Sequence, residues 1–389
     1  MKKTLFFSAL MLGALVLAGC QQNGTPQTDS TKLWPAQEDE SSEWGFIDQN
    51  GKMKVAAKYT QARPFSCNLA LVFDGNDAKY LNNSGKVVSA GMPSSDSYND
   101  FYFDVAIIND GGERAFMDKN FKKLFSPKFA SLGNMSADGL AYFREKDEKL
   151  YGYCDKKGEI KIKASFDEAG AFAGGIAVVV SRNEESGEYR YGIIDTKGNF
   201  TLDYQKQPLN NLGEGLVAFR KDNDKWGIMD KKGKVVLDAT YGRIMPFTNG
   251  LAQVRKFDGT KWGFVDTKGN EKIDVTYASV KPFYEDVAWV KKEGEDKKWE
   301  LIDKSGNTKF ELSKSQSPSS DYSYYRQGLC PIMGESKYEY INKKGETVYS
   351  WKPKNYGYYA PARKAAENLM SGTEFGPLFE SYFELDNLK

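Results

Sequence analysis

The chain has 389 residues, among them 24 Phe, 23 Tyr, 7 Trp and 37 Gly, and it has no His. Without imidazole the commonest general base and the commonest metal ligand are both missing, which excludes Ser-His-Asp and Cys-His catalysis and most zinc sites. Basic and acidic residues balance at 54 to 53 with no long single-sign block, so no nucleic-acid footprint is expected.

Met1-Lys2-Lys3 is a short basic start, and Leu5 to Leu17 is an apolar run too short to span a bilayer, with the flanks of a secretory signal. It ends in Leu17-Ala18-Gly19-Cys20, which resembles the lipobox of bacterial lipoproteins. The resemblance implies that residues 1–19 are removed and that Cys20 becomes a lipidated N-terminus. Loss of Lys2 and Lys3 then leaves 52 basic residues against 53 acidic, a net of −1. The implied address is the cell envelope, with the membrane as partner through acyl chains worth about 0.8 kcal/mol per buried methylene. Gln21 in place of Asp after the cysteine favours the outer membrane or cell surface over the inner membrane. Residues 20–43, poor in apolar side chains, read as a flexible tether, although Leu33-Trp34-Pro35-Ala36 within them looks like the last strand run of the repeat described below, standing alone before its first full copy. The remaining Cys67, Cys154 and Cys330 are an odd number; the repeat register puts the last two at buried strand positions, as small core residues.

From residue 44 onward one pattern recurs. An aromatic and a glycine open it, two apolar residues follow, and Asp-x-x-Gly closes it. Its nine starts are Trp44, Ala78, Arg114, Tyr151, Tyr191, Trp226, Trp262, Trp299 and Tyr338, spaced 34 to 40 residues apart. The turn acid is Asp48, Asp230 or Asp266 in clear copies, and only the third copy lacks the closing glycine, with Phe121 in its place. The opening run has strand composition, and Asp-x-x-Gly fits a turn with an Asx bond and a left-handed glycine. A second strand follows, then an aromatic and Pro-Phe, as in Pro64-Phe65, Pro246-Phe247 and Pro282-Phe283. These aromatics are expected to plug the core. A Leu-Ala-x-Val run gives a third strand, joined to the next copy by a charged hairpin loop. Three strands per ~36 residues cannot close a core alone, so neighbours must stack.

Lys225-Trp226-Gly227-Ile228-Met229-Asp230-Lys231-Lys232-Gly233 and Lys261-Trp262-Gly263-Phe264-Val265-Asp266 resemble the bacterial WG, or KWG, repeats. Copies two, three, eight and nine drift, and Ala78, Arg114, Glu300 and Glu339 break the aromatic-Gly pair. The resemblance implies a binding or interaction scaffold. The expected fold is all-β: a tandem array of about nine three-stranded antiparallel WG-repeat units over residues 44–351. An open, solenoid-like array is favoured over a closed propeller-like ring, because three strands fall short of a propeller's four. Residues 352–389, with a short helix from Pro361 to Met370, read as a cap on the last unit.

Two loops depart from the repeat and carry tyrosines beside serines: Tyr98 and Tyr102 after Pro93, and Tyr322, Tyr324 and Tyr325 after Pro318. Rigid amphipathic rings of this kind suit a protein or glycan contact, and folding back onto the core is the competing reading. The repeated Asp invites calcium, but each turn offers one carboxylate flanked by lysines, and turn chemistry accounts for it, so no metal is expected. Trp44, Trp226, Trp262 and Trp299 could form a stacking face for a ligand; exchange with Tyr, Ala and Arg at the same position favours packing. Glu184, Glu185 and Glu188 could in principle pair as glycosidase carboxylates, supported only by their chemistry. The resulting expectation is a non-catalytic surface lipoprotein without cofactor, acting as an interaction scaffold, with glycan capture as the alternative.

Overall fold

The computed structural model describes residues 31–354, apart from 90–91, 93–96, 222–223, 295–296 and 319–322. Every regular element among them is a β-strand, paired antiparallel with its sequence neighbour. The all-β tandem array is therefore the observed fold, built from small sheets none of which closes into a barrel.

The eighth unit displays the plan. Ser279–Val280, Val287–Lys291, Trp299–Asp303 and Thr308–Glu311 form one four-stranded sheet in chain order. The three-strand expectation is thus corrected to four in such units, the extra strand being a two-residue piece just before Pro-Phe. Gln61–Ala62, Ser97–Tyr98, Glu168–Ala169 and Ser317–Pro318 are its counterparts elsewhere. A two-residue strand is too short to impose an alternating pattern on a sequence. The Leu-Ala-x-Val run pairs with the Trp-Gly strand that follows it, as in Val254↔Gly263. Each sheet unit accordingly starts in one sequence copy and ends in the next.

This arrangement also corrects the tether. Leu33–Gln37 pairs along its whole length with Trp44–Asp48, and Trp34 and Ala36 are buried. The folded part begins inside the segment assigned to the tether, at least as early as Leu33.

Neighbouring units share apolar clusters. Tyr80 with Phe101 joins units 2 and 3, and Phe116 with Phe143 joins 3 and 4. Tyr153 with Phe172 joins 4 and 5, and Val178 with Phe219 joins 5 and 6. Trp226 with Phe247, Phe264 with Phe283, and Trp289 with Tyr325 continue the series to unit 9. The Pro-Phe aromatics do plug these seams: Phe283 meets Phe264 edge-on at 4.8 Å, and Phe65 meets Phe46 at 5.3 Å.

The preference for free ends needs correction. One cluster holds Trp44 and Phe46 of unit 1, Phe65 of unit 2, and Tyr340 and Trp351 of unit 9. Hydrogen bonds tie the same seam: Trp34 Nε1 donates to Arg326 O at 2.9 Å, Tyr340 Oη to Pro35 O at 2.9 Å and Tyr349 Oη to Gln37 O at 2.9 Å. First and last units therefore meet, and the array of units runs round into a ring. The physical reason is the one that called for a cap. A terminal unit exposes an apolar face that must be covered, and unit 1 covers that of unit 9. The expected helical cap lies outside the described residues.

Candidate functional site

The signature residues are occupied by structure. In the seventh unit Asp266 Oδ1 accepts the amides of Lys268 and Asn270, both at 2.9 Å, while Gly269 N donates to Asp266 O at 3.0 Å. Asp48 and Asp230 repeat this geometry at 2.9 and 3.0 Å. Burial tends to raise the carboxyl pKa of Asp266 and Asp48; hydrogen bonds from turn amides and side chains, with a nearby lysine, outweigh it and hold both below the ordinary value. Among the described residues no group of three or more Cys, Asp and Glu side chains converges as a metal site would require.

Gly269 has φ +81°, where L side chains are strained, and a Cβ there would lie 2.6 Å from Val236 O of the preceding unit. The turn glycine thus serves both its own turn and the seam. The glycine after the aromatic has a different duty. A Cβ on Gly263 would lie 2.6 Å from Ile273 O, on the strand that bulges opposite it. Trp44 and Trp226 are buried, and Trp262 and Trp299 are half-buried. Arg255 lies over the Trp262 ring at 5.6 Å and Arg220 over the Trp226 ring at 5.9 Å, each occupying one face of the indole.

The tyrosines proposed as contacts divide. Tyr102 and Tyr325 are 8% and 2% exposed and belong to the core, which corrects their assignment. Tyr325 donates from Oη to Asn342 O at 2.9 Å, satisfying its polar tip inside the seam. Tyr98 is half-buried against the cluster around Tyr80 and Phe101. Tyr324 is half-buried and stacks on Tyr284 at 4.1 Å. Tyr322 and Cys20 lie outside the described residues. Cys67, Cys154 and Cys330 are buried thiols that form no disulfide, as the core reading requires, and burial pushes the thiols of Cys154 and Cys330 up to about 12. Glu184, Glu185 and Glu188 sit in one exposed hairpin loop, where Asn183 caps the turn and Glu188 pairs with Lys206.

Two features were not drawn from the sequence. Glu300 and Glu339, which replace the signature glycine, are buried yet fully partnered. Glu300 takes Thr308 Oγ1 at 2.7 Å and Lys292 Nζ at 3.0 Å; Glu339 takes Gln316 Nε2 at 2.7 Å and Lys337 Nζ at 3.0 Å. Their signal was a glycine lost in company with a threonine two residues after the turn glycine, Thr308 and Thr347. The second feature is charge. Where they are described, the loops between the second and third strands lie at the end of their sheets opposite the Asp-x-x-Gly turns, and neighbouring loops touch: Lys146 reaches Glu113 at 4.0 Å, and Lys225 lies over Phe257 at 5.2 Å. Residues 38–43, 74–77 and 110–113 of units 1 to 3 contain eight acids and no base. Residues 220–225, 255–261 and 291–298 of units 6 to 8 contain ten bases and six acids.

A family model described as WG containing repeat matches residues 44–76, 151–183, 226–259 and 262–299. The chain carries WG repeats. Those four segments fall where the copies are clearest, and the strand register extends the same unit through the divergent ones. No curated protein matches the WG-repeat chain. Among solved structures, a eukaryotic initiation factor is 12% identical, with 73% of this chain and 86% of that one covered and a TM-score of 0.47. The computationally designed Ika8 protein is 10% identical over 74% and 94%, with a TM-score of 0.43. Hsv2 of Kluyveromyces lactis is 11% identical over 64% and 93%, with a TM-score of 0.34.

Proposed function

We propose that this WG-repeat protein is a non-catalytic interaction scaffold held at the bacterial cell envelope by lipid on Cys20. The observation that carries the scaffold reading is the use of the signature residues. Aromatic, glycine and aspartate are used in turns and seams, while the variable hairpin loops, where described, lie at the end of the sheets away from those turns. Diversity on a rigid repeated frame is the arrangement that binding surfaces use. In this reading the lipobox residues Leu17-Ala18-Gly19-Cys20 supply the anchor.

Labelled palmitate tests the anchor: incorporation is expected in the unaltered protein and is abolished by Cys20→Ser, and no incorporation in the unaltered protein refutes it. Partner capture by crosslinking in intact cells tests the scaffold. Binding to a glycan array that is lost with Tyr98→Ala plus Tyr324→Ala would replace the protein-scaffold reading with glycan capture. Turnover that survives purification and is lost on changing one carboxylate would overturn the non-catalytic assignment.

A further inference from the structure

We infer that the end of the ring carrying the Asp-x-x-Gly turns lies against an anionic bilayer surface, with units 4 to 6 as the arc in contact. The inference rests on the envelope reading above for its occupant and adds the face that meets the membrane. The turns follow one another round that end. A Cβ on Gly198 would meet Ile162 of unit 4 at 3.1 Å, one on Gly233 would meet Leu202 of unit 5 at 3.1 Å, and one on Gly269 would meet Val236 O of unit 6 at 2.6 Å. Gly85, Gly158 and Gly51 approach units 1, 3 and 9 in the same way. Leu33 pairs with Asp48, so the described chain enters the fold beside the first of these turns. Thr31 stands eleven residues after Cys20, a reach of at most about 40 Å when extended. A bilayer holding lipid on Cys20 is therefore met first at this end.

The same end exposes apolar side chains at one repeat position, two residues after the turn glycine. Val87, Ile160, Phe200 and Val235 occupy it at 43%, 47%, 40% and 47% exposure, and they are four of the seven large apolar side chains exposed on the described surface. Units 7 to 9 carry Glu271, Thr308 and Thr347 there, so the fold does not require an apolar residue at that position. Ile160, Phe200 and Val235 belong to three consecutive units, and lysines flank them. Residues 155–161, 195–201 and 230–236 hold seven lysines against four acids. Asp155 and Glu159 meet Lys161 at 3.1 and 2.7 Å, and Asp195 and Asp230 each accept two turn amides. Lys156, Lys157, Lys197, Lys231, Lys232 and Lys234 are exposed and take part in no ion pair among the described residues. They form no long block in the chain; the seams gather them. Apolar side chains set among exposed lysines suit the boundary between headgroups and acyl chains, the lysines meeting lipid phosphates.

Co-sedimentation with vesicles tests the inference apart from the anchor. The chain from residue 20 onward is used with Cys20→Ser, so that it keeps every described strand and carries no acyl group. It is expected to bind vesicles of phosphatidylglycerol mixed with phosphatidylcholine, to leave them as salt rises, and to ignore phosphatidylcholine alone. Lys157→Glu, Lys197→Glu and Lys232→Glu together should weaken binding on the order of a hundredfold. Lys149→Glu, Lys221→Glu and Lys256→Glu alter net charge equally at the opposite end and should weaken it far less. Because the three native thiols are buried, a dye on Val235→Cys reports the surface alone, and its emission should shift to the blue on anionic vesicles. The same dye on Phe257→Cys, at the hairpin end, should not shift. Failure of the unreversed chain to bind anionic vesicles overturns the proposal while leaving the anchor to its palmitate test. So does an equal loss from both sets of reversals, or a blue shift at Phe257 that matches the one at Val235.

Discussion

Gly51→Ala is the most direct probe of the closed array. Gly51 closes the first unit's turn at φ +76°, and a Cβ there would stand 2.2 Å from Val348 O, on the outer strand of unit 9. Two costs are combined. Holding an L residue in the left-handed region costs about 1–2 kcal/mol. Forcing a methyl group against the backbone of a packed neighbour adds about 1–3 kcal/mol. Gly250→Ala separates them, because Gly250 has φ +80° and a Cβ there would meet nothing within 4 Å. Both variants therefore incur the conformational cost, and only Gly51→Ala incurs the cross-seam one. Urea unfolding followed by tryptophan fluorescence should place the Gly51→Ala midpoint clearly below that of Gly250→Ala. Equal midpoints would refute the seam, since an array with free ends has nothing for the Gly51 methyl to strike.

Three further outcomes follow from the described contacts. Glu300 and Glu339 are opposed by burial, but hydrogen bonds and lysines outweigh it and hold their folded-state pKa values below the ordinary carboxylate value. Their contribution is present above the unfolded pKa, about 4.3, and is lost as pH falls through the folded values. Glu300→Gln plus Glu339→Gln should lower stability at pH 7 by about 1–2 kcal/mol, discounted because both lysines are half-exposed, and should flatten the acid limb of a pH–stability curve. Phe121 occupies the missing-glycine position at φ 62° and packs on Tyr80 at 5.4 Å. Phe121→Gly relieves about 1 kcal/mol of strain but removes a ring whose loss costs about 3–5 kcal/mol, so a lower melting temperature is expected. Cys67, Cys154 and Cys330 should resist a thiol reagent in the folded protein and react together on denaturation; fast labelling of any of them in native buffer would contradict its burial.

Much of the unit was legible because local chemistry dictates it. The Asx turn around Asp266 and Gly269 follows from the residues that can accept two amides and adopt positive φ. The core role of Phe65, Phe247 and Phe283 follows from aromatics recurring in register. The tyrosines were less legible. Tyr324 and Tyr325 are neighbours in sequence, yet one is half-exposed on Tyr284 and the other is sealed against Trp289. Which of two adjacent rings turns inward depends on the facing unit, and sequence spacing does not carry that.

The sequence by itself determined the repeat, its strands and turns and its signature glycines, because these are set by interactions within about ten residues of chain. Only the tertiary structure decided that Gly51 meets Val348 and that unit 1 covers unit 9. Ring closure depends on small angles between units accumulated over the whole array, and no single copy encodes their sum.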